Sequence, residues 1–409
     1  VEVYKTGKAQ LPTGGIGATV NMITATPLSQ PGFKAAVSAK GVYDSSIDEV
    51  GDKVTPEVSG LISSTFLDDK VGVLVSASYQ DRNNREDSSA VDQWYPIAAP
   101  ENDAIVNNNQ RADGTTWYPQ NAGYAIAENS RQRTNAQVVL EFKPTDNLKA
   151  KLDYTYSGVE FKGDVNSFGV WFNHGNIIGG EINSNGTWVE ASEQDTTDFA
   201  NNVGRNQYET ENKSLGLNIE WQASDTLKFT LDAHDSSALS QGAGLGNNTF
   251  IITGNTGCSW CAGDFGTGTA SITEKTAYFP ASGVPYFEWD LVDADGNPQE
   301  QLVASDIGTL FAGVTDGYAD SDITQLQLHG EWVNDNDSIL TAVEFGVSNT
   351  EQTFKNTNAF TDGFLALGWW LGSHSFFPDE DWDTLSLDGL LDGFGNSGQI
   401  GQSFVHTQE

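Results

Sequence analysis

A chain of 409 residues is longer than one hydrophobic core needs, so it implies either several domains or one very large β-architecture. Its 56 acidic residues against 20 basic ones give a formal charge of −36, which sets aside a nucleic-acid partner and suits a solvated, secreted surface, or one holding divalent cations between acidic loops. With 38% hydrophobic residues, a single Met and no run near 18 apolar residues, helical membrane spans are excluded, whereas alternating strands that cross a bilayer are not.

The first ten residues, VEVYKTGKAQ, have neither a basic n-region nor an apolar h-region, so the chain reads as mature, trimmed or internal. A Pro-Thr-Gly-Gly elbow then runs directly into an alternating stretch, Ala18 to Thr24. Period-2 alternation follows repeatedly, predicting strands over 33–43, 71–79, 136–142, 148–156, 215–221, 227–234, 326–332 and 339–347, with 56–66 as a poorer match. In LKAKLDYTY, for example, Leu148, Ala150, Leu152, Tyr154 and Tyr156 oppose Lys149, Lys151, Asp153 and Thr155. Nine strands result.

Their connections alternate in length. Brief polar turns are expected at 67–70, 143–147, 223–226 and 334–337, and long excursions at roughly 82–130, 161–205, 240–321 and 352–400. The connection over 44–55 is shorter but falls with the long set by parity. Up-and-down antiparallel strands place alternate connections at opposite ends, so one end carries tight turns and the other large loops. Such asymmetry marks membrane barrels, with short periplasmic turns and long extracellular loops, more than it marks sandwiches. Lys149, Lys151, Asp153, Lys228, Asp232, Glu220 and Glu331 recur on the polar faces, as a water-filled lumen allows. Phe66, Phe142, Trp221 and Trp332 stand beside the turns, where an interfacial aromatic girdle would lie.

The opening VEVYKTGKAQLPTGGIGATVNMITATPLSQPGF resembles the end of the plug domain of TonB-dependent outer-membrane receptors and its passage into the first barrel strand. The matching residues are Val1 to Lys5, then Gly14, Gly15 and Gly17 through Asn21 to Thr24, with Pro27 and Pro31 before Phe33. The resemblance implies glycines that take positive φ and pack closely where plug strands fold back inside a barrel. It implies residues 1–31 as plug tail and linker, and 32–409 as the N-terminal portion of an all-β, antiparallel up-and-down transmembrane barrel, nine or ten of about 22 strands. The family's TonB box and full plug are not among these residues, and GQIGQSFVHTQE reads as the start of another strand, so the chain is expected to be an internal piece with two unpaired sheet edges. The function implied is energised uptake at the outer membrane of a Gram-negative bacterium, with TonB, outer-membrane lipid and lipopolysaccharide, and a small-molecule or oligosaccharide ligand as partners. A passive porin-like channel and a secreted β-rich binding or adhesion protein are the alternatives.

Candidate binding residues lie in the loops. Trp369, Trp370, Phe376, Phe377 and Trp382 could stack on sugar rings, with Asp379, Glu380, Asp381 and Asp383 accepting hydroxyls, or could form the loop's own small core. Trp94, Tyr95, Trp117 and Tyr118 present the same two readings. Acidic, aromatic loops favour a neutral or cationic ring-bearing ligand, hence an oligosaccharide over a ferric siderophore. Cys258 and Cys261 form a lone C-x-x-C that reads as a small disulfide pinning a long loop in an oxidising compartment. In DLVDADGNPQE the acidic spacing hints at calcium, but the downstream Glu is missing and an Asx-rich turn is the better reading, so no cofactor or metal site is expected. No Ser/His/Asp or paired-carboxylate arrangement is legible among five scattered His, and the chain does not read as an enzyme.

Overall fold

The computed structural model describes residues 1–5, 17–21, 23–47, 51–194, 199–244, 246–255, 271–293, 295–300, 307–334, 339–362, 382–387, 390–392, 394 and 403–407. In chain order, β1 (Glu2–Tyr4) and β2 (Thr19–Asn21) form a hairpin. Next come β3 (Lys34–Tyr43), β4 (Val54–Phe66), β5 (Val71–Ala98), β6 (Ile105–Asn107), β7 (Thr115–Thr145) and β8 (Leu148–Trp171). They are followed by β9 (Ile177–Ile182), β10 (Trp188–Gln194), β11 (Phe199–Ser224), β12 (Leu227–Gly242), β13 (Asn248–Asn255) and β14 (Ser271–Tyr278). The chain continues through β15 (Tyr286–Val292), β16 (Pro298–Gln299), β17 (Ile307–Val333), β18 (Ala342–Asp362), β19 (Trp382–Ser386) and β20 (Ser403–Thr407). No helix among the described residues is long and apolar enough to cross a membrane.

The large sheet is antiparallel throughout. Strands β12 and β13 run end to end between β11 and β17, interrupted at 243–247, where Gln207 alone faces both Ala243 and Asn247 through its backbone. Counting that pair as one bulged strand, nine strands stand side by side: β3, β4, β5, β7, β8, β11, β12–β13, β17 and β18. They are the nine expected from alternation, and they close no barrel among the described residues. Strands β3 and β18 are the two edges.

All the tight turns lie at one end. Asp146-Asn147 and Asp225-Thr226 alone separate their strands, and Lys70 N–H bonds back to Phe66 O at 3.1 Å across the 67–70 turn. That turn holds Leu67, Asp68 and Asp69 at φ of 55°, 56° and 61°. The fourth turn is longer than expected: Asn334 N–H reaches Thr341 O, so Ile339 and Leu340 belong to the turn and not to the strand.

The long excursions need correction, because much of each is strand. β5 runs to Ala98 and β7 begins at Thr115; β8 runs to Trp171 and β11 begins at Phe199. At a rise of about 3.3 Å per residue, the 31 residues of β7 extend roughly 100 Å, about three times what a spanning strand of 9–11 residues needs. Part of this extension was invisible to alternation because both faces are polar in stretches such as Asp81-Arg82-Asn83-Asn84-Arg85-Glu86-Asp87. Backbone pairing continues there without any apolar face to report it.

Register aligns the apolar residues into rows across the wall. One row runs Val73, Leu140, Leu152, Leu217, Ala233, Leu326, and the next Phe66, Val71, Phe142, Ala150, Ile219, Leu231, Leu328, Val347. Many of these side chains are bare, with Leu140 at 41%, Phe142 at 50% and Val347 at 68% exposure. Trp221 stacks on Phe229 beside the turns, and Phe229 meets Phe345 edge-on. On β5, β7 and β8 the band is about nine residues deep along the strand, the length a tilted strand needs to cross a bilayer.

Beyond the band, the outward face is covered. Ala122, Tyr124 and Ile126 of β7 share a face with Val138, since pairing with β8 runs unbroken from Asn121 to Phe142. With Phe168 and Val170 they are buried against Ile182, Trp188, Ala191, Ile272, Ala277, Phe287 and Leu291 of a second sheet, ordered β16-β15-β14-β10-β9-β6. The expected start of another wall strand at the chain's end is instead β20, which pairs with β19 and not with β18.

Candidate functional site

The opposite, inward face collects the polar residues, and its turn end is already occupied. The 27–29 turn of 3-10 helix sits on β5 and β7: Leu28 N–H donates to Glu141 Oε2 at 2.7 Å, and Gly32 N–H donates to Thr65 Oγ1 at 2.7 Å. A Cβ on Gly72 would come within 2.8 Å of two Pro27 ring carbons, so glycine is what lets this segment lie against the wall. Glu141 is buried but compensated by Lys149 Nζ at 2.7 Å. Farther round, Lys228 pairs with Glu220 at 2.6 Å and Lys151 with Asp153 at 3.3 Å. The charges expected on a lumen face are therefore there, and they are largely neutralised in pairs.

One quadrant departs from that balance. Pairing places Lys40, Glu57, Gln80 and Arg133 side by side across β3, β4, β5 and β7, with Val159 next on β8. One step farther from the turns, Arg82 of β5 stands directly opposite Arg131 of β7, followed by Phe161 of β8 and Tyr208 of β11. Glu57 is the carboxylate that serves this group, accepting from Lys40 at 3.0 Å and from Arg82 at 3.0 Å. Arg131 reaches Gln80 Oε1 at 3.5 Å, while its Nε is buried with no acceptor. Phe161 and Tyr208 lie stacked, their centroids 4.9 Å apart and their planes 19° from parallel. Like charges directly opposite one another weaken a sheet, so the Arg82–Arg131 pair is a local cost. Arginine stays protonated at any accessible pH and presents a fork of donors. The chemistry on offer is recognition of anions beside an aromatic plane.

These residues were missed in the sequence because 82–130 and 161–205 read as excursions. A signal was present: four of the six arginines fall in the short segments 82–85 and 131–133, and the R-x-R spacing of Arg131 and Arg133 puts both on one face of a strand. Only the register shows that Arg82, Arg131 and Arg133 share one face.

The residues singled out in advance fall elsewhere. Gly17 has φ of +100° with nothing within 4 Å of where a Cβ would be, so it answers to backbone conformation and not to close packing. Asn21 closes the first hairpin opposite Glu2, its Nδ2 donating to Glu2 Oε2 at 3.1 Å. Trp94 packs edge-on against Phe279 at the margin of the covering sheet's core, and Trp117, half-buried, bonds through its amide to Gly186 O at 2.7 Å. Trp382 begins β19. Gly14, Gly15, Cys258, Cys261, Trp369, Trp370, Phe376, Phe377, Asp379, Glu380 and Asp381 lie outside the described residues. Asp293 accepts from Asp295 N–H at 2.9 Å and Asn297 N–H at 2.8 Å, the Asx-type turn anticipated for DLVDADGNPQE.

The covering sheet is fastened by a buried polar cluster. Glu193 Oε1 accepts from Tyr118 Oη and from Asn173 N–H, both at 2.6 Å, and Lys275 Nζ stands 3.5 Å from Oε2 while donating to Trp171 O. Burial pushes the Glu193 carboxyl above the usual range, against the pull of Lys275 and the two donors, and raises the Tyr118 phenol as well.

No family model matches the chain, and no curated protein matches it. Among solved structures, the FrpB iron transporter of Neisseria meningitidis aligns over 81% of this chain and 72% of its own. The F5-1 variant in its apoprotein form is 9% identical and the F3-3 variant 10%, each at a TM-score of 0.11, a likeness too slight to carry an argument.

Proposed function

We propose that these strands form part of the wall of an outer-membrane active-transport receptor in a Gram-negative bacterium. The observation that carries this reading is the bare apolar band crossing the wall strands, backed by a polar, ion-paired face and with every tight turn at one end. Water would strip such a band of its advantage, whereas lipid would cover it. Outer-membrane lipid and lipopolysaccharide would contact the band, and the ligand path would follow the polar face. The hydrogen bonds of Leu28 and Gly32 to this face at the turn end support reading 1–31 as the end of a plug and its linker to the wall. In this reading a scarce ligand, an oligosaccharide in preference to a ferric siderophore, is imported with energy supplied by TonB through a plug; no catalytic step and no cofactor is involved.

Fractionation of cells carrying the tagged protein tests the location: it should sediment with outer membranes and resist urea extraction. Recovery in the aqueous fraction, folded without detergent, would favour a secreted β-protein instead. Ligand accumulation abolished by a protonophore separates energised uptake from a porin-like channel, which would continue to equilibrate its solute.

A further inference from the structure

We infer that the arginine quadrant of the inner face is a binding site for a carboxylated, ring-bearing ligand, an acidic oligosaccharide such as a uronate chain. The inference rests on the reading of that face as a solute path, and it narrows the ligand from oligosaccharide in general to an anionic one. Three observations meet here. Arg82 and Arg131 are held directly opposite each other across the ladder, a repulsive placement that a bound anion would relieve. Glu57 is shared by Lys40 and Arg82, and among the described residues no carboxylate pairs with Arg131 or Arg133. The Nε of Arg131 is buried without an acceptor, and a buried donor of that kind is normally satisfied.

The neighbouring rings define the rest of the ligand. Phe161 is the cross-strand partner of Arg131, and Tyr208 the partner of Phe161, so an aromatic pair continues the row that the two arginines begin. A guanidinium fork takes a carboxylate bidentately, and a sugar ring can lie on the adjoining aromatic surface. In a chain of net charge −36 the acidic surroundings disfavour anions. A local cluster of three arginines and a lysine beside one glutamate reverses that field where it counts. The expectation of a neutral or cationic ligand, drawn from loop composition, gives way here to the charge that register assembles.

The test is binding of trigalacturonate and of maltotriose, a neutral trisaccharide of similar size, to the purified protein in detergent. Trigalacturonate should bind in preference to maltotriose and weaken steeply as salt rises from about 0.05 to 0.5 M, since exposed charge pairs are screened. Arg131→Gln and Arg133→Gln should each lower trigalacturonate affinity about tenfold or more, the scale of a lost charge-assisted hydrogen bond. Arg131→Lys should fall between wild type and Arg131→Gln. Unliganded Arg131→Gln protein should also unfold at higher denaturant than wild type, because the opposed pair is gone. Equal binding of maltotriose, salt-insensitive binding, or trigalacturonate affinity unchanged in the double Gln variant would each overturn the site. If inorganic sulfate competes as strongly as trigalacturonate and Phe161→Ala changes nothing, the ring-bearing assignment is wrong. The salt series on wild-type protein needs no variant to fold. Binding is read without transport, so loss of the membrane reading in the fractionation experiment leaves this result standing, and the converse also holds.

Discussion

Placing an arginine at Val138 separates a lipid-facing band from an ordinary apolar surface. Val138 is the middle of five outward residues of β7 that run from Thr134 to Phe142, four residues from either end. At about 3.4 Å per residue and a strand tilt near 45°, it lies roughly 10 Å inside the band. A guanidinium at that depth costs about 2–4 kcal/mol, falling to about 0–1 kcal/mol at the Thr134 level. The adjacent Gln137 has the same depth but faces inward, opposite Ser76 and Thr155. Gln137→Arg should therefore stay within about 0.5 kcal/mol of wild type. Reversible urea unfolding of protein folded into phospholipid vesicles measures all three variants on one scale. The expected order is Val138→Arg far below Thr134→Arg and Gln137→Arg. Equal costs for Val138→Arg and Thr134→Arg would refute a lipid-facing band, and a larger cost for Gln137→Arg would reverse the assignment of the faces.

Further outcomes follow from local geometry. Gly72→Val should drive Pro27 off the wall, since even a Cβ meets its ring at 2.8 Å; limited proteolysis should then cleave within 24–33 faster than in wild type. Leu67→Gly should raise stability by about 1 kcal/mol in the same urea assay, because a left-handed φ of 55° is costly for leucine and this side chain is 72% exposed. Tyr118→Phe removes a donor from Glu193 in a buried site and should destabilise the covering sheet by about 1–3 kcal/mol, read as faster amide exchange in β10 and β14. The pH dependence of that sheet has a definite sign. Glu193 holds its proton more tightly folded than unfolded, so stability is greatest below the ordinary glutamate range and declines as pH rises from there toward the raised value. Protection factors of the β10 amides, corrected for intrinsic exchange, that instead rose with pH above the ordinary glutamate range would contradict this sign.

Alternation was enough to find a segment of every wall strand, because in each the first residues from the turn have one apolar face. Leu148 to Tyr156 and Leu227 to His234 repeat that signature plainly. The same rule failed beyond the band. Over Asp81–Asp87 and Gly204–Asn212 both faces are polar, so composition carries no period although the backbone ladder continues. Propensity likewise hid the bulge at 243–247, whose glycines and asparagine read as loop and instead interrupt a paired strand. The candidate site was illegible for the same reason: Arg82 and Arg131 are 49 positions apart, and nothing in either segment says which residue stands opposite.

Sequence alone thus determined the strand count, the two ends of the wall, the apolar and polar faces near the turns, and the aromatic residues flanking them. Each is a local property, set by side chains two residues apart on one strand and by short turns that leave the chain no choice of direction. Tertiary structure decided how far the strands extend, that a second sheet covers the outward face at Tyr124 and Phe168, that Leu28 docks on Glu141, and that three arginines share one quadrant. Those depend on register, and register is fixed by pairing between distant segments. A shift of a single residue would turn Arg131 outward and Gln132 in.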